Sequence, residues 1–155
     1  MSVEAFLDTN VLIYAVSSAP EEAEKKERAI ELIENEDFGV SAQVLQEFFV
    51  NVTRKIADPL APDVAIELME QLRQFPLVVT DFPLIVAGVE KALRYGISYW
   101  DGTIVAAAEV LGASVLYSED LGHGQAYGSV RVVNPFREGG TDGVHEELPR
   151  PYPRS

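Results

Sequence analysis

The chain has 155 residues, a formal net charge of −13, and 47% hydrophobic against 24% charged residues. That length fits one domain with a full core, and a sequence without cysteine holds neither disulfides nor thiolate metal sites. No apolar run approaches the ~18 residues of a membrane span, and no basic stretch followed by an apolar one reads as a leader, so no membrane partner and a cytoplasmic protein are expected.

The first strand and its turn run Glu4-Ala5-Phe6-Leu7-Asp8-Thr9-Asn10-Val11-Leu12-Ile13-Tyr14. Thr9 and Asn10 are both good N-cap residues, so strand can turn into helix within one step. Ligands of open α/β sheets bind at the carboxyl ends of strands, which makes Asp8 the first functional candidate. A plain helix-capping Asp is the alternative. Glu21 to Asn35 reads as a helix, with Ala23, Ala29, Ile30, Leu32 and Ile33 forming its apolar stripe. Phe38-Gly39-Val40 is a short strand, and Ser41 can cap a helix from Gln43 to about Lys55. Asp58-Pro59 breaks that helix, and Pro62 starts another, to about Gln74. Pro76 to Thr80 is a third strand, Pro83 to Tyr95 a helix stopped by Gly96, and Tyr99 to Leu111 a helix capped by Ser98 and ended by Gly112. Ala113 to Tyr117 and Val130 to Val133 complete the strands. Such alternation implies a mostly parallel sheet with helices on both faces. From Gly139 to Ser155 periodicity fails and three prolines appear, so residues 139–155 read as a flexible or extended tail on a domain of residues 1–138.

Four acids then stand out. Asp101, in the first turn of its helix, shares a face with Ile104, Val105 and Ala108, where an unpaired carboxylate is costly. An Asp that complements the helix dipole is the plainer reading. Asp120, in Ser118-Glu119-Asp120, follows the fourth strand as Asp8 follows the first. If those strands are neighbours, the two carboxylates face each other and a cation relieves their repulsion. Glu47 lies about 60° beyond Val44 on a helical wheel, at the rim of the apolar arc, and periodicity alone leaves it an ordinary surface glutamate. Oxygen ligands without cysteine favour Mg²⁺ or Mn²⁺ over zinc. His123 and His145 read as ordinary exposed histidines. The acidity repels nucleic-acid phosphates, so RNA contact needs a local basic patch or weak, salt-sensitive binding, and a basic protein partner is favoured.

Phe6-Leu7-Asp8-Thr9-Asn10, Ser41 to Glu47 to Asn51, Tyr99-Trp100-Asp101 and Leu116-Tyr117-Ser118-Glu119-Asp120-Leu121 resemble the PIN-domain ribonucleases. The nearest likeness is to the toxin halves of VapBC-type toxin–antitoxin pairs, over about Val3 to Pro135. The resemblance implies a three-layer α/β/α sandwich around a parallel five-stranded sheet of order 3-2-1-4-5. It also implies Mg²⁺- or Mn²⁺-dependent hydrolysis of RNA, leaving a 5′-phosphate and a 3′-hydroxyl. The family's acids match at Asp8, Glu47, Asp101 and Asp120, as metal ligands and catalytic groups, with Asn10 and Ser118 as polar helpers. Asn10 is assigned to orienting Asp8 or a metal-bound water, and Glu119 could substitute for or assist Asp120. It is the resemblance, not the wheel, that promotes Glu47. Arg54 and Lys55 offer weak RNA contacts, or simply cations suited to a helix C-terminus. Gly102 stands where the family commonly has alanine, and a slightly weakened helix is the expected consequence. A cognate antitoxin and a second copy are the implied partners, with the apolar residues of the helices after Glu21 and Pro62 available for dimerisation. A catalytically idle PIN-like RNA- or protein-binding module is the alternative. A phosphatase with Asp8 as nucleophile needs an acid where Asn10 stands. A phosphoacceptor domain needs a lysine after the last strand, where Asn134-Pro135 offers none.

Overall fold

The structure, a computed structural model, describes residues 2–137. The tail from residue 139 and His145 lie outside the described residues. In chain order the elements are β1 (Ala5–Leu7), α1 (Thr9–Ala15), a 3-10 turn (Pro20–Glu22), α2 (Ala23–Asn35), β2 (Phe38–Ser41), α3 (Ala42–Arg54), α4 (Pro62–Leu72) and β3 (Leu77–Val78). There follow α5 (Phe82–Tyr95), α6 (Tyr99–Val110), β4 (Val115–Tyr117), β5 (Ala126–Tyr127) and β6 (Val130–Val133).

One sheet of order β3-β2-β1-β4-β6-β5 carries the helices. All its pairs are parallel except β5 with β6. The five expected strands are present in the expected order. The count of five is corrected to six by the short antiparallel β5, which the sequence reading missed. Its signal is Gly128-Ser129, a two-residue hairpin loop whose glycine has a φ of +64°. The third strand is shorter than expected, for a plain reason. Ser41 pairs with Val78 and is the last residue of β2, so Val79 and Thr80 find no ladder partner.

The central strands explain the site's position. β1 is buried at all three residues, lying between β2 and β4 with helices over both faces. Phe6, Leu7, Val40 and Leu116 fill the middle of the core. The chain winds one way from β1 to β2 and β3, and the other way from β4 to β6. The crevice between β1 and β4 is therefore the switch point, where the carboxyl ends of the strands leave room for a ligand. Ala5 pairs with Val115 and Leu7 with Tyr117, which brings Asp8 and Ser118 out of adjacent strands side by side.

Candidate active site

Asp8 is the best-held of the acids. Its amide donates to the Tyr117 carbonyl at 3.0 Å, extending the β1–β4 ladder by one step. Its Oδ1 accepts from the Thr9 amide at 2.8 Å, and its Oδ2 from the Ser118 hydroxyl at 2.7 Å. Asp8 is thus the N-cap of α1, one residue earlier than Thr9 and two earlier than Asn10. That shift frees both neighbouring side chains for the site. The Asp8 carboxyl is 6% exposed. Burial pushes its pKa up to about 6; the two hydrogen bonds oppose the rise, and the charges of Asp120 and Glu47 add to it. Among the described residues, no basic side chain offsets that cost.

Glu47 is half-buried and bonded across elements, toward Asp8's neighbour Thr9. Its Oε1 accepts from the Thr9 hydroxyl at 2.8 Å and its Oε2 from the Gln43 amide at 3.2 Å. Gln43 in turn accepts from the Thr103 hydroxyl, tying the first turn of α3 to α6. Wheel geometry missed this because the partner, Thr9, comes from another element. Asp101 sits in the first turn of α6, its amide bonded to the capping Ser98 hydroxyl at 3.0 Å. Burial raises its pKa as well, opposed by the Ser98 hydrogen bond and reinforced by the charges of Asp120 and Glu47. Beside it the Trp100 ring is 64% exposed.

The turn after β4 divides its two acids. Asp120 Oδ2 accepts from the Asn10 side-chain amide at 3.2 Å, and the Asp120 amide donates to Ser118 Oγ at 3.1 Å. Asn10 Oδ1 accepts from the Glu119 amide. Asn10 therefore serves the Ser118–Asp120 turn, and the bonds that orient Asp8 come from Ser118 and Thr9 instead. Glu119 points elsewhere. Its Oε2 meets Lys25 Nζ at 2.5 Å and its Oε1 accepts from the Tyr14 hydroxyl at 2.6 Å. The Glu119 bond is the chief cause of the raised Lys25 pKa. The Lys25 ammonium also lies 4.7 Å from the centre of the Tyr14 ring, whose edge contacts Phe136. Lys25, Tyr14 and Phe136 form a clamp that the sequence reading did not single out. A short, isolated apolar side chain pattern gives no sign of it.

The remaining candidates separate. Lys55 lines a groove with Asn10 and Tyr14, whereas Arg54 is exposed at the end of α3 and does not line it. His123 is half-buried, and its Nδ1 accepts from the Asn134 amide at 3.0 Å, so it is a structural histidine and not an exposed one.

A divalent cation fits this donor set by chemistry. Asp8 and Asp101 each feel the charges of Asp120 and Glu47, and the most buried of the four, Asp8, is costly to ionise alone. As they stand, no three acidic or histidine side chains among the described residues form a ready-made cage.

A family model described as the PIN domain matches residues 5–128. No curated protein matches the chain. Among solved structures, a toxin–antitoxin complex from Klebsiella pneumoniae aligns with a TM-score of 0.66 and 18% identity, covering 87% of this chain and 100% of that one. VapC20 of Mycobacterium tuberculosis, a sarcin-ricin loop cleaving toxin, aligns with a TM-score of 0.61 and 18% identity, covering 76% of this chain and 90% of that one. FitAcB from Neisseria gonorrhoeae aligns at 0.58 and 23% identity, over 86% and 99% of the two chains. At these identities the likeness is one of fold.

Proposed function

This chain belongs to the PIN-domain family, and from that premise we propose that it is a Mg²⁺- or Mn²⁺-dependent endoribonuclease, the toxin of a toxin–antitoxin pair. The observation that supports the reading is that Asp8, at the β1–β4 switch point, and Asp101 both feel the charges of Asp120 and Glu47, with Asp8 buried and unpaired by any cation among the described residues. Asp8 and Asp101 would hold the cation, with Glu47 and Asp120 beside them. When bound, such an ion neutralises charge on the scissile phosphate and acidifies a water.

The chain's own groups do the rest. Ser118 and the Thr9 amide occupy one lone pair on each Asp8 oxygen, fixing the plane of the carboxylate and leaving its other lone pairs for ligation. Thr9 and Gln43 hold Glu47 in the same way, so it is oriented to accept the proton of the attacking water. Asn10 holds Asp120 as the second such group. Lys25 and Tyr14 keep Glu119 occupied, which leaves Asp120 as the fourth acid.

Incubation of the purified protein with total RNA and Mn²⁺, an EDTA control and mapping of the new ends tests the reading. Metal-dependent cuts that Asp8→Asn abolishes support it. RNA left intact by the folded wild type points to the idle binding module. An antitoxin partner is supported by structures of like fold that are toxin–antitoxin complexes, and the acidic pocket suits one that presents Arg or Lys to Asp8 and Asp101. Co-expression with the neighbouring open reading frame, followed by size-exclusion chromatography with light scattering, tests that partner and the expected homodimer.

A further inference from the structure

Beside the candidate acids stands an aromatic ring to which the chemistry above gives no part. Trp100 is the second residue of α6, directly before Asp101, and it is 64% exposed. It is the only tryptophan of the chain. A single exposed apolar side chain is commonplace on a protein surface, so its place decides what it means. Thr103, Ile104 and Ala107 follow Trp100 along the same side of the helix, and all three are buried. Trp100 thus heads a packed stripe at the point where the packing ends. Side chains lean toward the N-terminus of their helix, and that is the end of α6 at which Asp101 feels the charges of Asp120 and Glu47. The indole therefore overhangs the end of the helix that carries the candidate site.

The residue is also held in place. Gln43 Nε2 donates to the Trp100 carbonyl at 3.4 Å and to Glu47 Oε2 at 3.2 Å, so one amide nitrogen links the Trp100 backbone to a second candidate acid. The half-buried Tyr99 ring meets the indole edge-to-face, with centroids 4.9 Å apart and planes at 71°. That contact limits the motion of the indole, and its exposure leaves a face open to solvent.

We propose that Trp100 is a stacking platform for an unpaired RNA base beside the scissile phosphate, a substrate-binding residue that acts without charge. The inference takes its ligand from the ribonuclease reading and rests on it. Electrostatics makes such a platform necessary. At −13 the chain repels phosphate, Lys25 is engaged by Glu119, and Arg54 lies exposed at the end of α3. Stacking draws a nucleotide in through its base, whose π-face every base possesses, and phosphate repulsion does not oppose that contact. A base reaches such a ring only where it is splayed out of a helix, so the ligand is single-stranded or looped RNA. A protein partner is less suited to this spot, because the polar Ser98, Asp101 and Gln43 surround the ring and leave an apolar face little to bury.

As the only tryptophan, Trp100 reports on its own contact. In full-length Asp8→Asn protein with Mg²⁺, a short mixed-sequence oligoribonucleotide should quench its emission, and the same strand annealed to its complement should not. Anisotropy of the labelled strand reads affinity in the variants. Trp100→Ala should weaken binding by about fivefold or more, by the same factor at low and high salt, with circular dichroism and Tm unchanged. Trp100→Phe keeps a ring and should bind within about threefold of the parent. With Asp8 intact, Trp100→Ala should raise KM for RNA cleavage and leave kcat unchanged. Emission unmoved by single-stranded RNA, or a Trp100→Ala protein that binds as well as its parent, overturns the platform, while Mn²⁺-dependent cleavage by the wild type would still uphold the nuclease reading. Emission that responds to the co-expressed antitoxin but not to RNA overturns it in favour of a protein contact. Quenching by RNA that the wild type never cuts upholds the platform and overturns the nuclease, and neither binding nor cleavage overturns both.

Discussion

At Asp8 one carboxylate caps a helix, follows a strand into the crevice and feels the charges of two other acids, Asp120 and Glu47. Its pKa rises from 3.8 to about 6 on folding. A raised acid pKa favours the folded state only while the group is protonated. Its stabilisation is therefore full below 3.8 and is lost as pH climbs through about 6, a change on the order of 3 kcal/mol. Asp8→Asn keeps a capping side chain and removes the charge. In EDTA at pH 7–8 it should melt at or above the wild-type temperature, with a flatter pH profile between 4 and 7, and it should not cut RNA. Thermal melts in EDTA across that range, with one cleavage assay, check this; a lower-melting variant that still cuts RNA would sink the metal site. Proton and cation compete for the same oxygens, so Mn²⁺ affinity should rise by up to about tenfold per pH unit below 6 and level off above it. Calorimetry at several pH values reads that slope. The two neighbouring acids should differ sharply. Glu119→Gln should leave Mn²⁺ affinity within a factor of about three, because Lys25 and Tyr14 already engage it, whereas Asp120→Asn should weaken it by about tenfold or more; equal effects would mean that Glu119 enters the site. Asp8 was legible in the sequence because a strand end followed by an apolar helix is a local pattern. Glu47 was legible only through the family resemblance and not from periodicity, because the Thr9 hydroxyl that it accepts from is 38 residues away in the chain.

At the scale of elements, the α5–α6 pair gives Gly102 a meaning that propensity could not. Read as a helix residue, glycine is a mild defect relative to alanine. In place, a Cβ at Gly102 would lie 2.4 Å from the Gly88 carbonyl oxygen and 3.0 Å from the Ala92 nitrogen, both backbone atoms of α5. Gly102→Ala should therefore destabilise despite its better propensity, by about 1–2 kcal/mol, seen as a fall of several degrees in Tm. An unchanged or higher Tm would show that the helices part at no cost. The same variant tilts the start of α6, which bears Asp101, so Mn²⁺ affinity should fall with it. Helix and strand positions were largely legible because strong periodicity and caps such as Ser41 and Ser98 act locally. The length of β3 was not, since it depends on where β2 ends.

For the molecule as a whole, we propose residues 1–138 as the self-sufficient unit. The described residues bury a continuous core from Val3 to Val132, with Phe136 packed against it. Truncation after Glu138 should lower Tm by less than about 4 °C, on the order of 1 kcal/mol; a larger fall in a differential scanning calorimetry trace would make the tail part of the fold. In the wild type Mn²⁺ should stabilise by roughly 2.7 kcal/mol at a hundred times Kd, and in Asp8→Asn by much less. The ends of the sheet govern what this molecule can become in company. Its two edge strands, β3 and β5, are two residues each, and Pro76 stands directly before β3. So few unpaired amides and carbonyls make a poor template for strand addition, the usual route by which an open sheet recruits other chains into fibrils.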